Sequence, residues 1–554
     1  MLIPDIASLI RATARGGEAD FTRQETRIAL AGCARPAAMT VGPMFYVPLY
    51  VEGLRSRPVL VFWLATLAQA ALWLLVPVLF YAAPPSALAQ VLAIGHGLRL
   101  DGDFGPPLAY WLAEIAFRAA GLPGVYALSQ ICLIVTYWCV FALGRAMVGA
   151  THAVLAVLLM VGISVFAVPT ADFGPPVLAM ALWAIVLWCY WRAVIEGRRR
   201  YWLALGVAAA LLLGSTYAAF ILVGLLVAFT ALTERGRAAA QVIEAWIAGL
   251  VIAAGLFAYF FWLDRAGGSL VLTSTLARLG DAASARANLA AWLRLLGALV
   301  LAHAGLIVLV VLASGWPGRR AGPAPAVARG PADHLAVTYV KVFALLPALL
   351  ATAVAVLLGD GAPAGGTAPL LVLSGLALVL AAGERIELRH PRMLGWAWFG
   401  LLLVPAMMVP AAIVILPWTT GTDLRIAQPA AAMGRFFAES FERRTGRPLA
   451  LVGGDMRTAA LVALAAPSRP SVYFDADPGR SRVTTEDIRR QGAVVVWPAA
   501  ETTPEPPPAI KARFPDLVVE VPQTFRRPVR GRLPPLRIGW GMIRPASAPT
   551  AAQH

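Results

Sequence analysis

The chain has 554 residues, 59% of them hydrophobic and only 14% charged, with a mean hydropathy of +0.72. A soluble globule does not carry that much apolar surface, so the composition selects a polytopic membrane protein with room for one further domain. The formal charge of +16 comes from arginines scattered between hydrophobic runs and beyond the last one. No aromatic-studded basic stripe accompanies them, which argues against a nucleic-acid partner.

Residues 1–57 read as an amino-terminal segment without a cleavable signal peptide, since the first long apolar run begins far from Met1. Met39 and Met44 are alternative starts. A bilayer core of about 30 Å takes about 20 apolar residues to cross as helix. On that measure the spacing predicts eleven spans, near residues 58–81, 123–143, 152–168, 175–194, 202–214, 217–232, 243–263, 288–313, 336–358, 368–383 and 393–416. The stretch 201–232 is long for one crossing and short for two, and Gly214-Ser215-Thr216 supplies a turn that splits it. With that split, the arginine clusters before span one, at Arg198 to Arg200, at Arg235 and Arg237, at Arg319 and Arg320, and at Arg385 to Arg392 share one side. The excess of positive charge makes that side cytoplasmic. The amino terminus is then cytoplasmic and everything beyond residue 420 lies outside.

The first outward loop, residues 82–122, contains two patterns amphipathic enough to lie along the membrane interface, Ala87 to Leu98 and Pro107 to Ala120. It also carries the first copy of a repeated string, Asp103-Phe104-Gly105-Pro106-Pro107; the second is Asp172-Phe173-Gly174-Pro175-Pro176. Proline is tolerated in a first helical turn, so each copy sets an acid just ahead of a helix. Taken singly, such an acid reads as a cap that complements the helix dipole. Spans two and three separate the copies, so both acids return to one membrane face. Paired carboxylates there suit general-base work on an acceptor hydroxyl or stabilisation of a cationic sugar.

Past residue 420 the pattern becomes that of a small α/β domain, residues 420–554. Helices are expected over 428–444, 456–464 and 484–491, and strands over 448–452, 471–474, 493–497 and 517–521, favouring a mostly parallel sheet. Gly453-Gly454-Asp455 reads first as a tight turn with an aspartate cap and second as an anion cradle. Three of the four cysteines, Cys132, Cys139 and Cys189, sit in apolar runs, and Cys33 stands alone, which argues against a disulfide framework. In the spans, His303 reads as a hydrogen-bonded interior histidine and Arg294 as a snorkelling charge. No metal-ligand spacing occurs, and no metal or cofactor is expected.

The first span, the long outward loop ending in Pro106-Pro107-Leu108-Ala109-Tyr110-Trp111-Leu112, and the second outward acid Asp172 resemble the GT-C glycosyltransferases of family 39. That group includes protein mannosyltransferases and the transferases that add aminoarabinose or galacturonic acid to lipid A. The likeness covers residues 58 to about 260, and the α/β domain is similar to the periplasmic extension of alphaproteobacterial members. It implies a GT-C-like membrane domain over residues 58–419 in a bacterial inner membrane. It further implies an inverting transferase that moves a hexosyl or pentosyl group from a polyprenyl-phosphate donor to an envelope acceptor (lipid A, polysaccharide or protein) at the periplasmic face. The group's usual Asp-Glu pair early in the first loop is replaced here by Pro84-Pro85-Ser86-Ala87, and the lysine before the Pro-Pro pair by Gly105. The base role then passes to Asp103 or Asp101, with Asp172 positioning donor or acceptor. Arg99, Arg118, Arg265, Arg278 and Arg286 are the outward cations for the donor phosphate, because a guanidinium forks onto phosphate oxygens. A noncatalytic envelope scaffold and a lipid or polysaccharide transporter are the alternative readings.

Overall fold

The computed structural model describes residues 52–98, 104–167, 172–265, 285–314, 325–473, 483–499, 505–529 and 531–546. All eleven predicted runs are helical. Six helices are long and apolar enough to cross a membrane: Pro58–Phe80 (α1), Leu108–Val148 (α3), Pro175–Ile195, Ile243–Asp264, His334–Leu357 (α12) and Pro391–Thr419. A seventh crossing results if Arg286–Ala302 and Ala304–Ser314, bent by 52° to each other, count as one span. The other four runs are shorter apolar helices, such as Ala150–Met160 and Pro369–Ala381. Eleven residues of helix rise about 16 Å, about half a hydrocarbon core.

Helix α1 shows how such a bundle is built from an all-round apolar sequence. Phe62, Thr66, Gln69, Ala70, Trp73 and Val76 recur at helical spacing and are buried, while Leu60, Leu64, Leu67, Leu75 and Leu79 on the other side are exposed. An exposed apolar face of that extent belongs against lipid. The inward Gln69 is paired on both sides of its amide: it donates to the Phe166 carbonyl, and the Tyr137 hydroxyl donates to its Oε1 at 3.2 Å. The 52° bend has a comparable anchor. A Cβ on Gly162 would lie 2.5 Å from the Leu306 nitrogen, which donates to the Gly162 carbonyl at 2.8 Å. At the bend, His303 Nδ1 donates to the Leu299 carbonyl (2.7 Å) and Nε2 shares a hydrogen bond with Ser374 Oγ (2.9 Å), as an interior histidine should. Arg294 is exposed.

The stretch 201–232 is two helices, Arg200–Leu213 (α6) and Ala219–Leu232 (α7). The turn between them is buried at Ser215 and Thr216, and its Gly214 carbonyl accepts from the Leu108 nitrogen at 3.0 Å. Gly365, at φ 78°, passes so close that a Cβ there would stand 2.3 Å from Ala218 Cβ. The turn thus sits beneath the start of α3, in the layer that holds both copies of the repeated string.

Beyond a short antiparallel pair, Ala326–Ala328 (β1) with Arg385–Glu387 (β2), the carboxyl-terminal region is a five-stranded sheet in the order β4-β3-β5-β7-β6, formed by Leu451–Gly454 (β3), Ser471–Val472 (β4), Ala493–Pro498 (β5), Val518–Phe525 (β6) and Leu536–Ile543 (β7). Strands β3, β4 and β5 are parallel, whereas β7 pairs antiparallel with both β5 and β6, so the sheet is mixed rather than mostly parallel. Two glycines disguise β7 in the sequence. They are required by its neighbours: a Cβ on Gly539 would fall 2.1 Å from Trp497 Nε1, and one on Gly541 2.7 Å from Leu517 Cδ1. Period-two alternation along β5 sends Val494 and Val496 to one core with Phe437, Phe441 and Val462, and Val495 and Trp497 to another with Ile488 and Phe514. The first core also takes in Ala83, Ile94 and Phe104 of the outward loop.

Candidate functional site

Helix α3 runs away from the first copy of the repeated string, Gly149 turns the chain at φ 82°, and the following helix Ala150–Met160 packs back against it, with Gly144 against Ala153. The second copy therefore arrives at the same end of the bundle as the first. There Asp172 precedes Gly174 and the helix Pro175–Tyr190 (α5), which has proline in its first turn. Phe173 is buried in the bundle core. Gly174 lies against Val91 of the loop helix Ser86–Ile94 (α2), and Pro176 against Gly366.

Asp172 itself is half-buried and makes no ion pair among the described residues. Burial pushes its carboxyl up to about 6, because a desolvated carboxylate without a countercharge favours its neutral form. Tyr81 and Tyr126, whose rings meet edge to face at 6.4 Å, lie within electrostatic reach of it. Burial and then the Asp172 charge push the Tyr81 phenol up to about 12, so Tyr81 remains a donor over the whole neutral range. A carboxyl that titrates near neutrality beside a fixed phenol can accept or release a proton at working pH.

The first copy is held differently. Tyr110 donates its hydroxyl to the Phe104 carbonyl at 3.3 Å, and Gly105 adopts φ 89°, a conformation that favours glycine over the lysine the family pattern carries there. Asp101 and Asp103 lie outside the described residues, as do Arg99 and Arg278. Arg265 ends the helix Ile243–Arg265, and Arg286 is exposed in the first turn of Ala285–Ala302. Arg118 is already engaged: its Nε donates to Glu114 Oε1 at 2.9 Å.

Glu114 is the residue that the sequence reading passed over. It is 2% exposed, and besides Arg118 it binds Arg469 Nη2 at 2.9 Å and lies 3.6 Å from His96 Nδ1. Arg469 comes from the loop before β4, holds a left-handed backbone at φ 49° and stacks over Phe117 at 4.3 Å. The cluster therefore pins the sheet region onto the outward loop. Helix α2 is covered by Met456–Ala465 (α16), with Leu88, Ala89 and Leu92 buried, rather than lying free along an interface. The only local sign of this was Glu114 four residues before Arg118 on an apolar helix. The Gly453-Gly454-Asp455 turn resolves as a cap: Asp455 accepts from the Thr458 nitrogen at 3.0 Å and from its hydroxyl at 2.7 Å, filling the place an anion would take.

A family model described as dolichyl-phosphate-mannose-protein mannosyltransferase matches residues 105–262, a segment that contains Asp172 and the Tyr110 to Trp111 motif. No curated protein sequence matches the chain. Among solved structures, ArnT from Cupriavidus metallidurans bound to undecaprenyl phosphate is similar at a TM-score of 0.50 and 12% identity, covering 92% of this chain and all of that one. ArnT in the apo state is similar at 0.50 and 12%, covering 87% and 97%. The long apolar helices, the family match and the full-length structural likeness converge: the chain is a multi-pass membrane protein with the fold of the GT-C glycosyltransferases.

Proposed function

We propose that the protein is an inverting membrane glycosyltransferase that moves a sugar from a polyprenyl-phosphate donor to a hydroxyl on a cell-envelope acceptor. The carrying observation is Asp172, an unpaired half-buried carboxyl with its ionisation raised to about 6, at the start of a span within the family-matched segment. The ArnT structure with bound undecaprenyl phosphate supports a lipid-phosphate donor. In this reading the acceptor oxygen attacks the anomeric carbon while the carbon–oxygen bond to the phosphate breaks. Polyprenyl phosphate leaves with that electron pair, and the acceptor proton passes to Asp172, or to Asp101 or Asp103 across the site. Arg99, Arg265, Arg278 and Arg286 are the cations proposed to meet the leaving phosphate. The chain divides into a cytoplasmic segment 1–57, a membrane domain 58–419 and a periplasmic domain 420–554 in a bacterial inner membrane, as the arginine distribution supports.

The test is transfer by the full chain in proteoliposomes given a radiolabelled polyprenyl-phosphate pentose or hexose and an envelope extract as acceptor. Label should enter the acceptor with the native chain and fail to do so with Asp172→Asn or Asp103→Asn. Undiminished transfer by both variants removes these acids from the mechanism. Absence of both donor binding and transfer in the native chain favours the scaffold reading instead.

A further inference from the structure

At the end of the bundle opposite Asp172, a cavity of about 460 Å³ opens between four segments. Arg145 reaches it from the last turn of α3, and Arg192 from a π-helical turn, Trp191–Ile195, that extends α5. Arg198 and Arg235 complete the cationic lining, and Glu196 and Asp333 are its two acids. Both acids are already engaged. Glu196 receives Arg192 at 2.6 Å and Arg198 at 2.8 Å, while Asp333 receives Arg235 at 3.5 Å and caps α12 by accepting from the Leu335 nitrogen at 3.3 Å. Four guanidinium groups against two carboxylates leave an excess of two positive charges, and Arg145 pairs with neither acid. The helix dipoles meeting there, two C termini and two N termini, cancel to first order.

Arginines on the positive-inside face of a membrane protein are ordinarily spread through loops. Here they converge on one cavity, and the exposed Arg145 keeps its donors free of the two acids. Arg192, held over the rings of Trp188 at 5.8 Å and Tyr201 at 5.7 Å, has a buried Nε without an acceptor among the described residues. Small side chains, Ala142 and Ala146, leave the space open. An aromatic face of α3 leads from the cavity toward the membrane core. Trp138, Ala142 and Arg145 lie at i, i+4 and i+7 on one face of α3, and Trp138 is exposed, with its ring 4.8 Å from that of Trp188. A phosphate seated among the arginines would thus have an aromatic, lipid-exposed wall directly beside it.

We propose that this cavity is a binding site for the phosphate of an anionic membrane phospholipid, on the face opposite Asp172 and independent of the transfer chemistry. Guanidinium groups match phosphate oxygens in forked hydrogen bonds, and the exposed tryptophan wall suits the adjoining acyl chains. The experiment measures the melting temperature of the purified full chain in a neutral detergent, titrated with dihexanoyl-phosphatidylglycerol, dihexanoyl-phosphatidylcholine or inorganic phosphate. Phosphatidylglycerol should raise the melting temperature saturably at concentrations where the other two do not. Arg145→Gln and Arg235→Gln should each weaken the apparent affinity by about fivefold. Ala146→Trp, at an exposed position, should fill the cavity and abolish the response while melting at the native temperature without lipid. No response of the native chain to phosphatidylglycerol, or a full response in Ala146→Trp, overturns the site. An equal response to phosphatidylcholine overturns anion recognition, and an equal response to inorganic phosphate overturns the lipid as its source.

Discussion

The two ends of helix α5 carry opposite, uncompensated charge. At its start, Asp172 is half-buried without a cation among the described residues, and burial pushes its carboxyl up to about 6; about 30 Å along the helix and its π-turn, arginines outnumber acids around an open cavity. The acid end costs folding free energy, since a partly buried charge without a partner is unfavourable, whereas the arginines are largely exposed to the solvent that carries their excess. A third cluster shows what the same chain does where only architecture is at stake: Glu114 is buried and meets two guanidinium groups and the His96 ring. On the proposed reading, the contrast separates charge available to chemistry or ligand from charge spent on holding regions together.

The largest expected effect falls on the acid end. Asp172→Asn should lower kcat/KM for transfer by about 10² to 10⁴, the range of a general base, with donor KM changed little. Steady-state kinetics in proteoliposomes would show this, and a loss confined to KM would reassign Asp172 to donor binding. Next comes the pinning cluster. Glu114→Gln leaves Arg469 half-buried beside an uncharged partner, which should destabilise by roughly 3 kcal/mol and speed proteolytic release of the sheet region. An unchanged cleavage rate would mean that the apolar contacts of α2 and α16 hold the two regions together unaided.

A smaller effect distinguishes function from stability at Asp172. Its native ionisation, at about 6, lies above the ordinary carboxylate range, so the native state binds the proton more tightly than the unfolded chain. The carboxylate therefore contributes no penalty below about pH 4 and destabilises increasingly as pH rises through about 6. Asp172→Asn should raise the melting temperature at pH 8 and leave it unchanged at pH 4. The smallest effect concerns Asp455, which caps α16: Asp455→Ala should cost about 1 kcal/mol, read from the melting temperature, and leave transfer intact.

What the sequence made legible follows from the range of the interactions concerned. Apolar runs and the Gly214-Ser215-Thr216 break are local, and every one of the eleven runs is helical. The repeated string marked Asp172 because the same local grammar, acid then Gly-Pro-Pro, occurs twice. Strand β7 was hidden because Gly539 and Gly541 answer to Trp497 and Leu517 across the sheet, not to their neighbours in the chain. The Glu114–Arg469 pair spans 355 positions, and the arginine cavity draws on four separate segments. No periodicity announces either. The first-copy acids Asp101 and Asp103 stand as sequence expectations, lying outside the described residues.

The central claim is that Asp172 is an unpaired carboxyl kept near neutrality to handle the acceptor proton. The initial rate of sugar transfer from a polyprenyl-phosphate donor, measured from pH 4.5 to 8.5 for the native chain and Asp172→Asn, tests it most directly. The account predicts a native rate that climbs through about pH 6 to a plateau and a variant that lacks both the climb and most of the rate. Transfer at the native level by the variant, with the same pH dependence, would contradict it.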